Sequence, residues 1–445
     1  MKYSFQLGLL WVLISLPLAG CRNVPTPPTV ISSEVASTGA APASVSAASS
    51  TNAPLESDDE AYEQIRLLTK AIIIIRHDYV DESKTSYSNL ISSALSGMLQ
   101  SLDPYSQYME PSDYRDLKED TQGKFGGIGI QVGVKDNTLT VIAPMEDTPA
   151  YRAGIVSGDK IVEIDGEKTD KLSMRDAVHK LRGVEGTPVK LKILREKEIK
   201  EFALVRAAIQ IASVKGTRLL QNGIGYVRIT EFSEPTAVAL QSAVDKLLSQ
   251  GMKALVLDLR NNPGGLLISA IQVSELFLKQ GALIVTTRGR AGVPRQPPAY
   301  AGGPVHHTDF PMVVLINGGS ASASEIVAGA LHDNKRAVLA GEISFGKGSV
   351  QNVLPVEDGS ALRLTTARYY TPSGRSIHEK GIEPDILVPI PLDEWINVLK
   401  KRAYEETPAL MADQEKPANL DKVVDRQLER ATDVLKGLLI FQSPR

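Results

Sequence analysis

A chain of 445 residues exceeds what one hydrophobic core usually supports, so we expect two or three domains. The composition, 42% hydrophobic and 23% charged, is that of a folded globular protein, and a net charge of −3 gives no basic field for binding nucleic acid. The single cysteine, Cys21, excludes disulfides, thiol catalysis and cysteine-rich metal sites.

The N-terminal residues predict export. Residues 1–20 carry one early cation, Lys2, then an apolar stretch and small residues directly before Cys21. This pattern is typical of a signal peptide, and the stretch is too short for a good membrane-spanning helix. Small residues followed by cysteine resemble a bacterial lipobox, which implies cleavage before Cys21 and lipidation of that residue. We therefore expect a membrane-anchored lipoprotein in the cell envelope, on its periplasmic side; a cleaved signal peptide with an incidental cysteine is the alternative.

A flexible tether and a helical segment are expected next. Residues 21–57 are rich in Pro, Ser, Ala and Thr, with almost no large apolar side chains to offset the entropy of ordering. In the N-terminal helical segment, residues 58–118, apolar positions recur at helical spacing over 61–75 and again over 90–102. These two stretches predict two helices.

Residues 119–206 change to short strand patterns separated by Gly and Asp turns. The predicted elements are strands at 128–134, 139–144, 160–164 and 189–194, with short helices at 150–153 and 173–181. This order resembles a PDZ domain of the circularly permuted bacterial type, in which residues 126–130 look like the carboxylate-binding loop. Glycines in this loop allow consecutive backbone amides to point toward a single carboxylate group. The edge of the following strand can then pair with the bound peptide. The resemblance implies peptide binding by Gly127, Ile128, Gly129 and Ile130.

An α/β core is expected over residues 207–391. Near-continuous apolar runs at 223–229, 254–259 and 312–316 are typical of strands covered on both faces, and helical patterns at 237–248 and 270–278 lie between them. The C-terminal segment, 392–445, is polar and helical. Its apolar stripe is either a docking or homo-oligomer surface or surface packing; it consists of Leu420, Val423, Val424, Leu428, Ala431 and Leu435.

Two places in this core share one architecture, an apolar strand that runs into a glycine-rich turn and then a helix. They are residues 255–265 and 313–325. Such a junction collects free backbone N–H groups and the positive end of a helix, which suits an oxyanion or a phosphate. Nucleotide-binding signatures are absent from the sequence, so a phosphate-binding site is the less favoured interpretation of these junctions.

The second junction adds three hydroxyls, Ser320, Ser322 and Ser324, which taken alone are explained as helix caps or small packing residues. Downstream, Lys347 is flanked by two glycines at the end of an apolar stretch. A lysine in that setting is easier to explain as a placed amine than as a solvated charge. The pair of motifs therefore favours nucleophilic chemistry.

Together these stretches resemble the C-terminal processing peptidases, Ser-Lys proteases with a PDZ domain inserted beside a crotonase-like core. The match runs from about residue 60 to 390. Its motifs lie at 102–106, 126–130, 257–265, 319–325, 346–351, 369–377 and 381–385. The resemblance implies a multidomain α/β fold: a crotonase-like α/β protease core, an inserted PDZ domain, and helical N- and C-terminal segments.

The same resemblance assigns the candidate site residues. The nucleophile falls on Ser322, the general base on Lys347, the residue orienting that base on Gln351, and the oxyanion amides on Gly265 and Ala323. Arg182 is a candidate for coupling bound ligand to the active state, or for bracing the fold. The implied activity is a serine endopeptidase that cleaves protein substrates with accessible C-termini, without cofactor or metal.

The chemistry can be stated from the residues themselves. A serine hydroxyl attacks only if a neighbour takes its proton, and a neutral amine can do so. Bringing a lysine pKa from ~10.4 toward ~7 to 8 costs about 3 to 5 kcal/mol, which burial can supply. In an extended strand Lys347 and Gln351 would lie ~13 Å apart, so direct contact predicts a helical turn or bend over 347–351.

The sequence raises four rival functions. A Ser-His-Asp enzyme using His332 and Asp333 is disfavoured because ten residues of helix put His332 ~15 Å from Ser322, and Asp333 is interpreted as structural. The pair at 306–307 is expected in a surface loop, and no HExxH motif or clustered ligands indicate a metal. A PDZ scaffold lipoprotein built on an inactive protease core is the alternative from another class. Acyl-CoA chemistry on the related crotonase fold is disfavoured by export.

Overall fold

The computed structural model describes residues 58–135, 138–145, 147–294, 296–303, 307–406 and 419–442. These residues fall into two compact units, 58–108 and 109–442. The predicted signal peptide, Cys21 and the tether lie outside the described residues. Among the helices that the structure describes, none is long and apolar enough to cross a membrane.

The first unit contains the two predicted helices, α1 (Asp58–Asp78) and α2 (Tyr87–Gln100). Ser86 caps α2, since its side chain accepts a hydrogen bond from Asn89 N. The short strand β1 (Gln107–Met109) spans the boundary with the second unit. Both helices predicted from apolar spacing are thereby confirmed.

The second unit opens with a helix that the sequence patterns did not reveal, α3 (Pro111–Gln122). A proline occupies its first turn, where no N–H is needed, and Gly123 ends it with φ 67°. The predicted domain boundary between residues 118 and 119 falls inside this helix.

The PDZ-like region is an antiparallel sheet with two short helices. Its elements are β2 (Lys124–Gly127), β3 (Ile130–Lys135), β4 (Thr138–Pro144), α4 (Pro149–Arg152), β5 (Lys160–Ile164), β6 (Glu167–Lys168), α5 (Met174–Leu181), β7 (Pro188–Arg195), β8 (Glu198–Val205) and β9 (Ala207–Gln210). The sheet order is β3-β4-β5-β7-β8, with β6 on β5, while β2 pairs with β9. The four predicted strands and two predicted helices are present, and β3 is an edge strand that contacts α5.

The remaining region is built on a six-stranded sheet in the order β10-β11-β12-β15-β16-β19. The strands of this sheet are β10 (Val214–Leu219), β11 (Ile224–Ile229), β12 (Ala254–Asp258), β15 (Met312–Ile316), β16 (Val338–Gly341) and β19 (Ile386–Leu387). From β11 to β19 all pairs are parallel, and β10 is antiparallel to β11. β12 and β15 are buried along their whole length, as expected of strands covered on both faces.

Helices cover both faces of this sheet. They are α6 (Thr236–Ser249), α7 (Leu267–Glu275), α8 (Ala323–Asp333), α9 (Leu392–Glu406) and α10 (Arg426–Gln442). Helices α6 to α8 share one apolar core with the sheet, whereas Ala431 and Leu435 of α10 are fully buried against the other face, beside Tyr226, Val256 and Leu315. Part of the C-terminal apolar stripe therefore packs on its own core.

A second small sheet extends from this core. Its strands are β13 (Leu283–Arg288), β14 (Ala299–Tyr300), β17 (Ser349–Pro355) and β18 (Ala361–Tyr370). Strand β18 pairs with β17 along most of its length and with β13 at its C-terminal end. The sequence patterns did not predict these four strands.

Candidate active site

Ser322 occupies an unusual backbone position at the start of α8. It is the N-cap residue, with φ 53° and ψ −111°, a region that residues with a side chain rarely adopt. Only 6% of the residue is exposed. Strain of this kind, about 1–3 kcal/mol, is held in place by surrounding contacts and is common at functional sites.

The three serines of this turn have different surroundings. The Ser320 hydroxyl donates to Leu259 O at 2.8 Å, and the Ser324 hydroxyl donates to Asn262 O at 2.9 Å. Both therefore join α8 to the end of β12. Among the residues that the structure describes, these two bonds to the first junction come from Ser320 and Ser324 and not from Ser322, the middle serine.

The two glycine-rich junctions meet at this point. Ala321 N donates to Asn262 O at 3.0 Å, and Asn261 N donates to the Asn317 side chain at 2.8 Å. A Cβ added to Gly264 would lie 2.8 Å from Ser322 Cβ. The turn after β12 thus lies directly against the candidate nucleophile.

Two backbone N–H groups at this junction lack acceptors. In the part of the chain that the structure describes, the N–H groups of Gly265 and Ala323 have no hydrogen-bond partner. Gly265 has φ 142°, and a Cβ there would lie 2.1 Å from Phe232 O, so this close backbone approach requires glycine. Unpaired amides at a helix start are the arrangement that stabilises a developing oxyanion.

The carboxylate of Glu325 joins the serine turn to the lysine loop. One oxygen accepts from Ser322 N at 2.8 Å and from Lys347 N at 2.9 Å, and the other accepts from the Ser344 hydroxyl and from Gly346 N. The side chain is fully buried. Burial raises the pKa of Glu325 above its ordinary value, although the four hydrogen bonds oppose that shift. No pattern in the sequence had pointed to Glu325.

Lys347 lies in an irregular loop and is 6% exposed. Its glycine neighbours allow close packing, since a Cβ at Gly348 would lie 2.4 Å from His378 N. The backbone amides of Lys347 and Ser322 share one carboxylate oxygen, so the two loops are adjacent. The structure therefore brings together the segments that carry the two proposed reacting groups.

A helical turn or bend is predicted over 347–351, and the helical turn is wrong. Residues 349–355 form β17, and the ladder with β18 shifts register between Val350 and Gln351, as at a β-bulge. Val350 pairs with Ala367 and Gln351 with Thr365, so the extra residue of this irregularity, Thr366, lies on β18. Gln351 is buried, and its amide nitrogen donates to the hydroxyls of Ser349 and Thr365 at 2.8 and 3.3 Å.

Tyr369 is a second residue whose role no sequence pattern revealed. It is 5% exposed on β18, and its hydroxyl interacts with the Ser322 side chain. Burial raises the pKa of Tyr369 well above its ordinary value, and the contact with Ser322 lowers it in part. A neutral phenol therefore lies beside the candidate nucleophile.

The histidine rival is not supported by its contacts. His332 lies in the last turn of α8, where its ring nitrogens contact Asp333 and Asp385, each at 3.1 Å. Burial raises the pKa of Asp333, but hydrogen bonds from Thr371, Ser373 and His332 outweigh it and leave the pKa below its usual range. Residue 306 lies outside the described residues, and His307 contacts the ring of Phe310. No group of potential metal ligands occurs among the residues described.

The predicted peptide-binding loop lies between β2 and β3. Ile128 is 1% exposed and belongs to the apolar core of the PDZ-like sheet, while Gly129, at φ 75°, accepts hydrogen bonds through its carbonyl from Met145 N and the Thr148 hydroxyl. Gly127 and Ile130 end β2 and begin β3. The edge of β3 beside α5 is the place where an added strand could pair.

Arg182 follows α5 and contacts α3. Its guanidinium donates to Asp120 at 3.2 Å and lies 4.4 Å from the centre of the Phe125 ring. Burial raises the pKa of Asp120, and the charge of Arg182 lowers it. Arg182 therefore links the PDZ-like sheet to the helix that precedes it.

Comparisons with known proteins agree with this architecture. Residues 223–388 match the model of peptidase family S41, residues 140–195 match a PDZ domain, and residues 32–112 match the N-terminal domain of the activating protease CtpB. The carboxy-terminal-processing protease of Bartonella bacilliformis is 44% identical over 363 residues, which are 79% of this chain and 80% of the relative. The carboxy-terminal processing protease CtpA of Bacillus subtilis is 38% identical over 73% of this chain and 69% of its own length.

Among solved structures, the photosystem II D1 C-terminal processing protease is 31% identical and is matched over 92% of its length and 73% of this chain, with a TM-score of 0.44. The family models, in the order found along the chain, correspond to the helical, PDZ and α/β regions described above. On these matches, the chain belongs to the carboxy-terminal processing proteases of peptidase family S41.

Proposed function

We propose that this chain is a serine endopeptidase in which Lys347 takes the proton from Ser322 and a PDZ groove selects the C-terminal regions of exported proteins. The observation that carries the proposal is the Glu325 carboxylate oxygen, which accepts from the backbone amides of both Ser322 and Lys347. Shared anchoring holds the two loops at a fixed separation. Burial of Lys347 favours the uncharged amine that a general base requires.

The proposed reaction follows from these positions. The Ser322 hydroxyl attacks a peptide carbonyl while its proton passes to the Lys347 amine, and the carbonyl oxygen becomes an oxyanion that accepts from Gly265 N and Ala323 N. Collapse breaks the C–N bond as the lysine ammonium returns the proton to the leaving amine. Water then hydrolyses the acyl-enzyme by the same route, with Lys347 again as base. We propose that Gln351 orients Lys347 through the rigid end of β17.

Two substitutions test the catalytic assignment. Ser322→Ala and Lys347→Ala should each reduce cleavage of a casein substrate by at least about 10³-fold, since the paired groups act as one unit. Both variants should bind a C-terminal peptide as tightly as the wild type. Ser320→Ala is the matched control, because its hydroxyl bonds Leu259 O, and it should retain most activity. Full cleavage by Ser322→Ala would refute the assignment of the nucleophile, and absence of cleavage by the wild type would favour the scaffold alternative.

We further propose that peptide binding in the PDZ region promotes cleavage. Arg182 contacts Asp120 of α3, and the next residue, Thr121, accepts through its carbonyl from Glu234 N at 3.0 Å. Two residues before Glu234, Phe232 bonds Gly264 and Leu266, on either side of Gly265. A continuous chain of contacts thus runs from α5 to the proposed oxyanion site.

Deleting residues 123–205 is the direct test of this coupling. We expect slower cleavage of a substrate with an apolar C-terminal tail and little change for an untailed one. Arg182→Ala should reproduce part of that loss with peptide affinity unchanged, whereas Arg152→Ala, at an exposed position of the same region, should not. Equal rates on both substrates for the deletion variant would refute the coupling.

For location, we propose export to the cell envelope and anchoring through a lipidated Cys21. The support is the apolar stretch and small residues that precede this cysteine. Cys21→Ser should move the protein from the membrane fraction to the soluble fraction, and its continued presence in washed membranes would contradict the anchor.

A further inference from the structure

A cavity beside β18 carries three positive charges. Its volume is about 750 Å³, and its walls include Arg288, Arg290, Arg368, Tyr370 and residues 364–367 of β18. In the part of the chain that the structure describes, no acidic residue lines this arginine cavity, and none of its three arginines forms an ion pair with a carboxylate. Arginine keeps its charge at physiological pH, so the cavity suits an anionic ligand.

Two of these arginines face each other across a ladder. Arg288 of β13 pairs with Arg368 of β18, and side chains directly opposite in an antiparallel ladder lie about 4.5–5.5 Å apart. Like charges in this relation repel each other, and a carboxylate bound between them removes the repulsion. The Arg288 guanidinium also lies 4.4 Å from the centre of the Tyr370 ring, a contact that holds it at the cavity wall.

The edge of β18 gives the arginine cavity the geometry of a strand-binding site. The ladder with β13 ends at Arg368, and the neighbouring residues 364–367 border the cavity. Thr366 is the extra residue of the irregular ladder with β17, and its hydroxyl is buried without a hydrogen-bond partner among the residues described. Polar groups along such an edge can bond an extended chain laid beside it.

The arginine cavity is separate from the place of bond cleavage. Arg368 lies on one face of β18, whereas Tyr369 points from the other face into the core, where it interacts with Ser322. Thr365 borders the cavity and accepts from the amide of Gln351 at 3.3 Å. A chain held in the cavity therefore lies beside the proposed site but is recognised through residues other than those around the cleaved bond.

We propose that the arginine cavity is an exosite that binds an acidic, extended segment of the protein substrate. The assignment to the substrate rests on the proposed protease function. The bound segment adds a strand along residues 364–367, and its Asp or Glu side chains lie against Arg288 and Arg368. Because the side chains of a strand alternate, carboxylates at every second position of the segment face the arginines.

Direct binding tests the exosite without reference to cleavage. The probe is a fluorescein-labelled peptide of eight alternating Glu and Ala residues with a C-terminal amide, and the comparison peptide has Gln in place of each Glu. Fluorescence anisotropy is measured with full-length Ser322→Ala at low ionic strength. The Glu peptide should bind at least about tenfold more tightly than the Gln peptide, and added salt should reduce the difference.

Arg288→Gln combined with Arg368→Gln removes the opposed pair. This protein should bind the two peptides equally, and its thermal stability should equal or exceed that of wild type, because a like-charge pair is removed. Arg152→Gln combined with Arg430→Gln is the matched control, since both arginines are exposed outside the cavity and the net charge changes by the same amount. The control should keep the preference for the Glu peptide.

Cleavage kinetics tests the assignment to the substrate. A peptide that wild type cleaves is extended at its N-terminus, through a flexible Gly-Ser linker, by the Glu-Ala or the Gln-Ala segment. For wild type, the acidic extension should lower KM at least about fivefold relative to the neutral one, since the tethered segment binds intramolecularly. The value of kcat should stay the same, because the cavity is separate from Ser322. In the variant that lacks Arg288 and Arg368, the two KM values should be equal.

The outcomes separate this inference from the function on which it rests. Equal affinity of the two peptides, or an unchanged preference in the variant that lacks Arg288 and Arg368, overturns the exosite while the protease function stands. Binding of the Glu peptide without a difference in KM overturns the assignment to the substrate. If wild type cleaves no peptide, the protease function fails and the substrate assignment with it, whereas the anisotropy measurement still decides whether the cavity binds acidic chains.

Discussion

At the scale of single residues, the site depends on backbone positions as much as on reactive side chains. Ser322 has a positive φ, whereas the serines on either side of it, Ser320 and Ser324, hydrogen-bond to the first junction through their hydroxyls. The backbone conformation thus distinguishes Ser322 from its two neighbours. Glu325 receives four hydrogen bonds and places the Ser322 and Lys347 loops against each other. Its geometric role explains why a buried carboxylate lies so near the proposed dyad.

Glu325→Gln tests this role of the carboxylate. An amide replaces one acceptor oxygen by a donor, so two of the four buried donors lose their partner at about 1–3 kcal/mol each. We expect kcat to fall at least about tenfold with little change in KM, since the loops shift while the peptide groove is untouched. Steady-state kinetics on a cleaved peptide measures both constants. Glu357→Gln, at an exposed position, is the control, and equal losses in the two variants would contradict the role.

At the scale of elements, the sequence patterns predicted what local periodicity encodes. Local patterns predicted the apolar runs of β12 and β15, the helices α1 and α2, and four strands of the PDZ-like sheet, but not its strands β6 and β8. The hairpin of β17 and β18 was missed, although Asp358 and Gly359 are a turn signal between two apolar stretches. Glu325 and Tyr369 were missed because their roles depend on contacts between distant parts of the chain, which periodicity does not encode.

The irregular ladder between β17 and β18 illustrates the same limit. Spacing along the chain suggested that contact between Lys347 and Gln351 needs a helical turn or bend, because an extended strand would hold the two residues ~13 Å apart. In the structure β17 begins two residues after Lys347, and its ladder with β18 shifts register between Val350 and Gln351. Whether a strand is regular depends on its partner, and the partner strand is not visible in the local sequence.

Gly264→Ala tests the contact between the two strand–turn–helix junctions. Gly264 has φ 106°, and an added Cβ would lie 2.7 Å from Ala321 O and 2.8 Å from Ser322 Cβ. The turn must move away from Ser322, which displaces the neighbouring Gly265 amide from the oxyanion position. We expect kcat/KM to fall by about 10²-fold or more, the loss seen when one oxyanion donor is removed.

The control for this prediction is Gly318→Ala, because Gly318 lies in the second junction with open space around the position of an added Cβ. It should change kcat/KM less than about threefold, since exposed substitutions cost little. Comparable losses in the two variants would show that the close contact between the junctions is not required for cleavage.

At the scale of the whole molecule, a buried ionic network joins the C-terminal helices to the core. Asp258, at the end of β12, contacts Arg260 and Arg402, and Asp425 contacts the same two arginines. The Tyr226 hydroxyl donates to Asp258 at 2.7 Å. Since Arg260 directly precedes residues 261–265, the network also fixes the start of the proposed oxyanion turn.

Asp258→Asn tests the contribution of this network to stability. Breaking a buried pair by removing one charge leaves uncompensated arginines, so we expect a loss of about 3–5 kcal/mol in the free energy of unfolding at neutral pH. Urea denaturation followed by circular dichroism measures it. Asp170→Asn, at an exposed position, should change it by less than about 0.5 kcal/mol. A loss in Asp258→Asn no larger than that would show that the network is energetically neutral.

Low pH should weaken this buried ionic network in the wild-type protein. Burial raises the pKa values of Asp258 and Asp425, but Arg260 and Arg402 outweigh it and hold both below the usual range. A lowered folded-state pKa gives stability that is fully present above the unfolded value of about 3.9 and is lost as the pH falls through the folded value. At pH values below about 4, we therefore expect a fall in the urea concentration at which half of the wild-type protein is unfolded. The same midpoint of Asp258→Asn should fall less over that pH interval, because one titrating carboxylate is gone. Parallel pH profiles for the two proteins would mean that groups outside this network control acid unfolding.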